Sequence, residues 1–152
     1  MQHSKLRLTL TEYDPAPTPQ FNEHLHWNAS VESSGFAGDT EFVTSGRELQ
    51  ALLQQLATLD STLLVQTEWG SGDSKEERFR ILVRPNGRTG RLLVVVTLTA
   101  PVRETGHARH VTGVFGIMPN TLRQFVLSLR RVLAAPVEGT QIVLIGDREA
   151  DV

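Results

Sequence analysis

The stretch 91–99 (RLLVVVTLT) constrains the fold more than any other part of the sequence. Six of its nine residues are apolar, and three of them are consecutive valines. A short run rich in β-branched residues predicts a strand rather than a helix. Because apolar residues occupy both odd and even positions, both faces of this strand have side chains to bury. The sequence therefore predicts a central strand with neighbours on either side.

The neighbouring segments alternate apolar and polar residues, which is typical of strands with one buried face. This pattern covers 5–13, 24–33, 36–43, 78–84 and 107–117. A further strand is predicted at 62–69, followed by a polar, glycine-containing loop at 70–77. Whether 141–145 adds a short last strand is left open.

Two amphipathic helices interrupt the strands. Ser45 and Glu48 form a capping box, and leucines at helical spacing follow it, so a helix is predicted from about 46 to 59. A second helix begins at Pro119, and Pro136 ends it.

Short connections between strands require antiparallel pairing. The sequence therefore predicts an α+β, two-layer fold, with a mostly antiparallel sheet of about 6–8 strands and both helices on one face. The other face is expected to be polar and to carry arginines. We predict a single domain over residues 1–152, with a proline-rich linker at 14–20 and a polar tail at 146–152.

Composition narrows the class of protein. The chain has 152 residues, a formal net charge of −2 and no cysteine, so disulfides and thiolate chemistry are excluded. No stretch approaches the roughly 20 apolar residues that span a bilayer, and the first residues alternate instead of forming a signal-peptide core. A cytoplasmic protein without membrane contact is predicted.

No motif for catalysis or for a cofactor is present. The sequence contains neither a G-x-S-x-G elbow nor a phosphate-binding G-x-x-x-x-G-K-S/T. Asp73, Glu76 and Glu77 lie on the predicted loop, where carboxylates stay solvated and keep similar acidities. We predict that the protein is not an enzyme and binds no cofactor.

Two histidines can be interpreted either as polar residues on a solvated strand face or as a metal site. His24 and His26 share one strand face and could bind Zn²⁺ or Cu²⁺ together. His107 and His110 lie on another predicted strand. A catalytic zinc usually has three protein ligands, and the third would have to be brought in by a strand pairing that the sequence does not specify. No metal is predicted, and the role of this pair stays open.

The predicted binding surface combines the loop with the outward arginines of the strand that follows it. Guanidinium groups match carboxylates, which favours an acidic protein partner. Nucleic acid is disfavoured because single-strand binders also need aromatic side chains on the same face, and Phe79 and Phe115 point inward by alternation. For Trp69, a core position is the alternative to an anchor. The candidate residues are Trp69, Asp73, Glu76, Glu77, Arg78, Arg80 and Arg84.

Several patterns of apolar residues and glycines follow one another along the chain. They are Phe36-Ala37-Gly38 leading through Ser45 into the leucine helix, the paired stretches 79–83 and 90–96, and 115–119 before Leu122, Phe125 and Val126. In these patterns, over about residues 20–134, the chain resembles the WapI-type immunity proteins of bacterial polymorphic toxin systems. This resemblance rests on apolar and glycine patterns rather than on functional residues. It implies that the protein binds a cognate toxin domain and blocks it.

Three hypotheses follow from the sequence. The first is a non-enzymatic binding protein, in particular an immunity-type inhibitor of a toxin domain. The second is a self-assembling or small-ligand-holding α+β domain that uses a pocket between sheet and helices. The third is a nucleic-acid binder that uses the arginines. A homodimer is left open, and it would favour the second hypothesis.

Overall fold

The computed structural model describes residues 4–15, 24–33, 36–62, 67–71, 79–85, 90–101 and 108–149. In that part of the chain it contains the strands β1 (Lys5–Asp14), β2 (His24–Ser33), β3 (Phe36–Ser45), β4 (Thr67–Ser71), β5 (Phe79–Pro85), β6 (Leu92–Pro101), β7 (Ala108–Ile117), β8 (Gln141–Ile145) and β9 (Arg148–Glu149). The helices are α1 (Gly46–Thr62) and α2 (Pro119–Ala134).

The strands form two antiparallel sheets. Sheet A has the order β3-β2-β1-β8, and sheet B has the order β4-β5-β6-β7-β9. The segment 141–145 is a strand, and it pairs with β1 near the opposite end of the chain.

Strand β6 is the third of the five strands in sheet B, as the valine-rich sequence predicts. Its residues Leu92, Val94, Val96 and Leu98 are at most 2% exposed. The residues between them are half-buried on the other face. The prediction of a central strand is confirmed.

The two sheets turn their buried faces toward each other. Phe42 of sheet A stacks on Phe79 of sheet B, with ring centroids 4.7 Å apart and planes 10° apart. Helices α1 and α2 pack against each other, α1 also against β3, β4 and β5, and α2 against β8. Their buried side chains join those of both sheets in one hydrophobic cluster. Within the described residues, neither helix combines the length and apolarity needed to cross a bilayer.

The α+β class and the antiparallel pairing are confirmed, and three local predictions need correction. The strands divide between two sheets, so the helices fill the junction of the sheets instead of covering a single one. Helix α1 continues to Thr62, and β4 occupies Thr67–Ser71 rather than 62–69. Arg148–Glu149, inside the predicted polar tail, pairs with β7 as β9.

Apart from β9, the two sheets share one strand order. In sheet B, β4, β5, β6 and β7 are successive neighbours and α2 follows. In sheet A, β8, β1, β2 and β3 are successive neighbours and α1 follows. Strand β8 therefore occupies the position in sheet A that β4 occupies in sheet B.

Candidate functional site

The outer face of sheet B is the surface that carries the described candidate residues. Alternation along β5, β6 and β7 buries one set of side chains in the core and turns the other set outward. We call the outward set the sheet B outer face. Its described members are Arg80, Leu82, Arg84, Leu93, Val95, Thr97, Thr99, His110, Thr112 and Val114.

An apolar row crosses the middle of this face. Leu82 is directly opposite Val95, and Val95 is directly opposite Val114. All three side chains are half-buried, and Leu93 adds a fourth apolar side chain in the adjacent row. Directly opposite side chains in antiparallel strands lie about 4.5–5.5 Å apart at Cβ, so the row forms a continuous strip.

Arginines lie on both sides of the apolar row. Arg80 and Arg84 are both exposed, two residues before and two residues after Leu82 on β5. Arg80 lies opposite Thr97, and Arg84 lies opposite Leu93. The face therefore has an apolar centre between two cationic side chains.

Hydroxyl and imidazole groups continue the polar side of the face. The Oγ1 atoms of Thr97 and Thr112 are 3.4 Å apart. In the next row, Thr99 Oγ1 and His110 Nδ1 are 3.0 Å apart. These contacts hold neighbouring side chains in place across β6 and β7.

The structure brings only part of the predicted binding surface together. Arg80 and Arg84 share the sheet B outer face. Trp69 lies on β4, where its backbone pairs with Ile81. The other four candidates, Asp73, Glu76, Glu77 and Arg78, lie outside the described residues.

The apolar row was not among the predicted site residues. The sequence predicts a polar outer face, whereas its centre is formed by Leu82, Val95 and Val114. The signal that could have found the row is the run 91–99, in which apolar residues occupy both strand faces. The side chains on the inner face of this strand fill the core. The apolar ones on its outer face, Leu93 and Val95, form part of the outer surface of the sheet.

The outer face of sheet A has a different character. Its contacts are local and polar: Lys5 Nζ is 3.6 Å from Glu32 Oε2, and Asn28 Nδ2 donates to Asp39 Oδ2 at 3.3 Å. The register of β1 against β2 shifts between Leu10 and Glu12, which marks a β-bulge. A groove of about 290 Å³ lies beside this bulge and is lined by Thr11, Glu12, His26, Trp27, Glu41, Phe42 and Val43.

His26 of the predicted histidine pair has a carboxylate partner. Its Nε2 lies 2.9 Å from Asp14 Oδ2 across the β1–β2 ladder. Within the described residues there is no group of three or more His, Cys, Asp or Glu side chains placed to hold a metal ion.

One small cavity lies among the described residues where the sheets and helices meet. It measures about 10 Å³ and is lined by apolar residues including Trp27, Phe42, Phe79 and Phe125. Ligand pockets usually measure roughly 300–1,000 Å³. This one cavity is too small for a ligand of that size.

Comparison with known proteins gives distant structural likenesses only. No family model matches the chain, and no curated protein matches it. The fold is similar to the plant transcriptional regulator PBF-2, with 11% identity over 88% of this chain and 76% of that chain, at a TM-score of 0.46. It is also similar to WHY3 from Arabidopsis thaliana, with 11% identity over 88% of this chain and 82% of that chain, at a TM-score of 0.46. Because the similarity is this low, any inference about function has to be drawn from the chain's own residues.

Proposed function

We propose that this protein is a non-enzymatic binding protein that uses the sheet B outer face to hold another protein. The observation that carries the proposal is the apolar row Leu82–Val95–Val114 between exposed Arg80 and Arg84.

This arrangement has the anatomy of a protein interface. Protein interfaces have a desolvated apolar centre and a polar rim, and arginine is enriched in them. Here the row supplies the centre, and the rim is supplied by the arginines, the Thr97–Thr112 pair and the Thr99–His110 pair. Because both strand neighbours of Leu82 on this face are cationic, the matching surface of the partner is acidic around an apolar contact.

The sequence resemblance supports a narrower version of the proposal. Immunity-type proteins bind a toxin domain and block it, so the proposed partner is a cognate toxin domain with an acidic surface. The arginines steer the encounter, since charge complementarity acts mainly on association rate and specificity. The apolar row then supplies most of the contact that slows dissociation.

A protein partner fits this face better than a nucleic acid does. Binding to single strands uses aromatic side chains for base stacking. The described residues of the sheet B outer face include no Phe, Tyr or Trp. The described part of this face therefore lacks the aromatic side chains on which bases would stack.

Capture with matched variants tests the proposal. The tagged protein is incubated with lysate of its source cells, and retained proteins are identified by mass spectrometry. Leu82→Asp places a charge in the apolar row, and Arg84→Glu reverses a rim charge. Leu127→Asp and Arg130→Glu make the same changes at exposed positions of α2.

We expect one stoichiometric partner with the unchanged chain and with both α2 variants. In titrations with the purified partner, Arg84→Glu should raise Kd about tenfold, and Leu82→Asp about a hundredfold, equivalent to about 1.4 and 2.8 kcal/mol. Co-expression should relieve growth arrest if the partner is a toxin, and Leu82→Asp should abolish that relief.

Two results would overturn the proposal, and a third would remove only its narrower version. One is a partner that binds Leu82→Asp as tightly as the unchanged chain. Another is recovery that disappears after nuclease treatment, which would move the function to nucleic acid. The third is a partner whose toxicity is unchanged by co-expression, which would remove the inhibitor role alone.

A further inference from the structure

Strand β8 lies at one edge of sheet A. Among the described strands it pairs only with β1, which leaves its other side open. Gly146 N donates to Ser4 O at 2.8 Å, and Leu10 N donates to Thr140 O at 2.9 Å. Hydrogen-bonded pairs in an antiparallel ladder recur at every second residue. Ile142 and Leu144 therefore bond to β1, while the N–H and C=O groups of Gln141, Val143 and Ile145 point to the open side.

The sequence of β8 lacks the features that usually protect an edge. Edge strands are commonly shielded by charged side chains, proline or bulges. The other edge strands carry charges: Asp39 and Glu41 on β3, Glu68 on β4, and both residues of β9. The sequence of β8 is QIVLI, which contains neither a charge nor a proline.

Exposed apolar side chains are concentrated beside this edge. Six large hydrophobic residues are exposed in the described part of the chain, and three of them lie between 137 and 145. They are Val137 at 60%, Val143 at 39% and Ile145 at 50%. Val143 and Ile145 lie on the outer face of the strand itself, so pairing along the edge would cover them.

We propose that β8 pairs antiparallel with β8 of a second copy of this chain, about a two-fold axis through Val143. The outward-pointing groups determine this register. Val143 faces Val143 of the other copy, and Gln141 faces Ile145, so that all three outward residues exchange both backbone hydrogen bonds. A shift of one residue would place the outward residues opposite residues that bond to β1, and a shift of two would leave one outward residue of each copy without a bonding partner.

The side chains of β8 suit a second copy of the same strand. In this register, Ile142 lies opposite Leu144 on the buried face, and valine lies opposite valine on the outer face. A two-fold interface brings the same patch of both copies together, so a charged strand would meet its own charge. Strand β8 has no charge to repel, whereas the acidic residues of β3 would oppose acidic residues.

The association should be weak and dependent on concentration. A five-residue strand is about 17 Å long. Its edge offers less contact than the roughly 1,200–2,000 Å² buried in stable specific interfaces. The dimer joins two A sheets into one continuous sheet and leaves the sheet B outer face of each copy accessible.

Sedimentation equilibrium from low to high micromolar protein tests the dimer. The unchanged chain should shift from monomer to dimer as concentration rises. Val143→Lys should stay monomeric, because two like charges would meet on the axis. Val43→Lys is the matched control, since Val43 lies on the opposite edge strand of sheet A and is 40% exposed. Circular dichroism establishes that both variants are folded.

Cross-linking tests the register independently of affinity. The chain has no cysteine, so a single Val143→Cys substitution places one thiol on the proposed axis. Directly bonded strand residues have Cα atoms about 5.5 Å apart, within the range that a disulfide spans. Val143→Cys should form a covalent dimer under mild oxidation at least tenfold faster than Val43→Cys.

A chain that remains monomeric at the highest concentration, with equal cross-linking of the two cysteine variants, would overturn the proposal. Self-association that Val143→Lys leaves intact would overturn it as well, because a different surface would then be responsible. Arg84→Glu should weaken binding of the proposed protein partner but leave dimerisation unchanged. Failure of the dimer proposal can therefore be distinguished from failure of the proposed function.

Discussion

At the scale of single residues, two glycines set how closely the sheets approach. A Cβ atom at Gly113 of β7 would lie 2.6 Å from Val31 Cγ2 of β2. A Cβ atom at Gly38 of β3 would lie 2.6 Å from Val111 Cγ2 of β7. Both contacts join opposite sheets, so the absent side chains allow the two buried faces to meet.

We predict that Gly113→Ala lowers the free energy of unfolding by about 1–3 kcal/mol, because the added methyl group must displace a buried valine. Urea denaturation followed by circular dichroism measures the loss. Gly116→Ala is the control on the same strand, where the nearest atom, Leu92 O, would be 3.8 Å away. Equal losses at both positions would show that close approach is not the cause.

A buried hydrogen bond gives the second residue-scale prediction. Trp27 Nε1 donates to Thr44 Oγ1 at 3.0 Å, and the two residues are 2% and 0% exposed. Thr44→Val keeps the shape but leaves the indole N–H without its acceptor, so stability should fall by about 1–3 kcal/mol. Thr44→Ser retains the hydroxyl and should lose less. A smaller loss for valine than for serine in urea titrations would contradict this account.

At the scale of the elements, the two helices begin in different ways. For α1 the predicted capping box is confirmed: Ser45 N donates to Glu48 Oε1 at 3.0 Å, and Glu48 N donates to Ser45 Oγ at 3.1 Å. Helix α2 has Met118 at its N-cap without a side-chain cap, and Pro119 as its first residue. Helix α1 therefore depends more on its cap than α2 does.

We predict that Ser45→Ala costs about 1 kcal/mol of stability, since it removes the side-chain acceptor for an amide at the start of α1. Ser45→Asp supplies another acceptor and should remain within about 0.5 kcal/mol of the unchanged protein. Differential scanning calorimetry or urea titration distinguishes the two. If alanine and aspartate behave alike, the cap does not stabilise α1.

At the scale of the whole molecule, β8 closes sheet A with residues from the far end of the chain. Leu144 is 1% exposed and lies opposite Leu6 of β1, while α2 packs against the same strand. The strand thus joins the first and last parts of the chain and one helix in a single core.

We predict that Leu144→Ala lowers the free energy of unfolding by about 2–5 kcal/mol, as other buried leucine truncations do. Val143→Ala, one residue away on the outer face, should change it by less than about 0.5 kcal/mol. Both are measured in dilute solution, where the monomer predominates. Similar effects at the two positions would mean that β8 is not part of the core.

Local patterns in the sequence predicted most of the elements and part of the candidate site. Alternation placed Leu6, Leu8 and Leu10 on one buried face, and it placed Arg80 and Arg84 together on an outer face. The capping box located the start of α1. These features depend on residues only a few positions apart, because strand and helix periodicity decide which side chains share a face.

Only the tertiary structure decided which strands are neighbours. Alternation shows which side of a strand is buried but not which strand lies beside it. The same sequence pattern is therefore compatible with one sheet or with two. The division follows from long-range packing, such as Phe42 on Phe79 and β8 on β1. The same packing left Leu82, Val95 and Val114 outside the core, and so made an apolar row on a face that the sequence indicates to be polar.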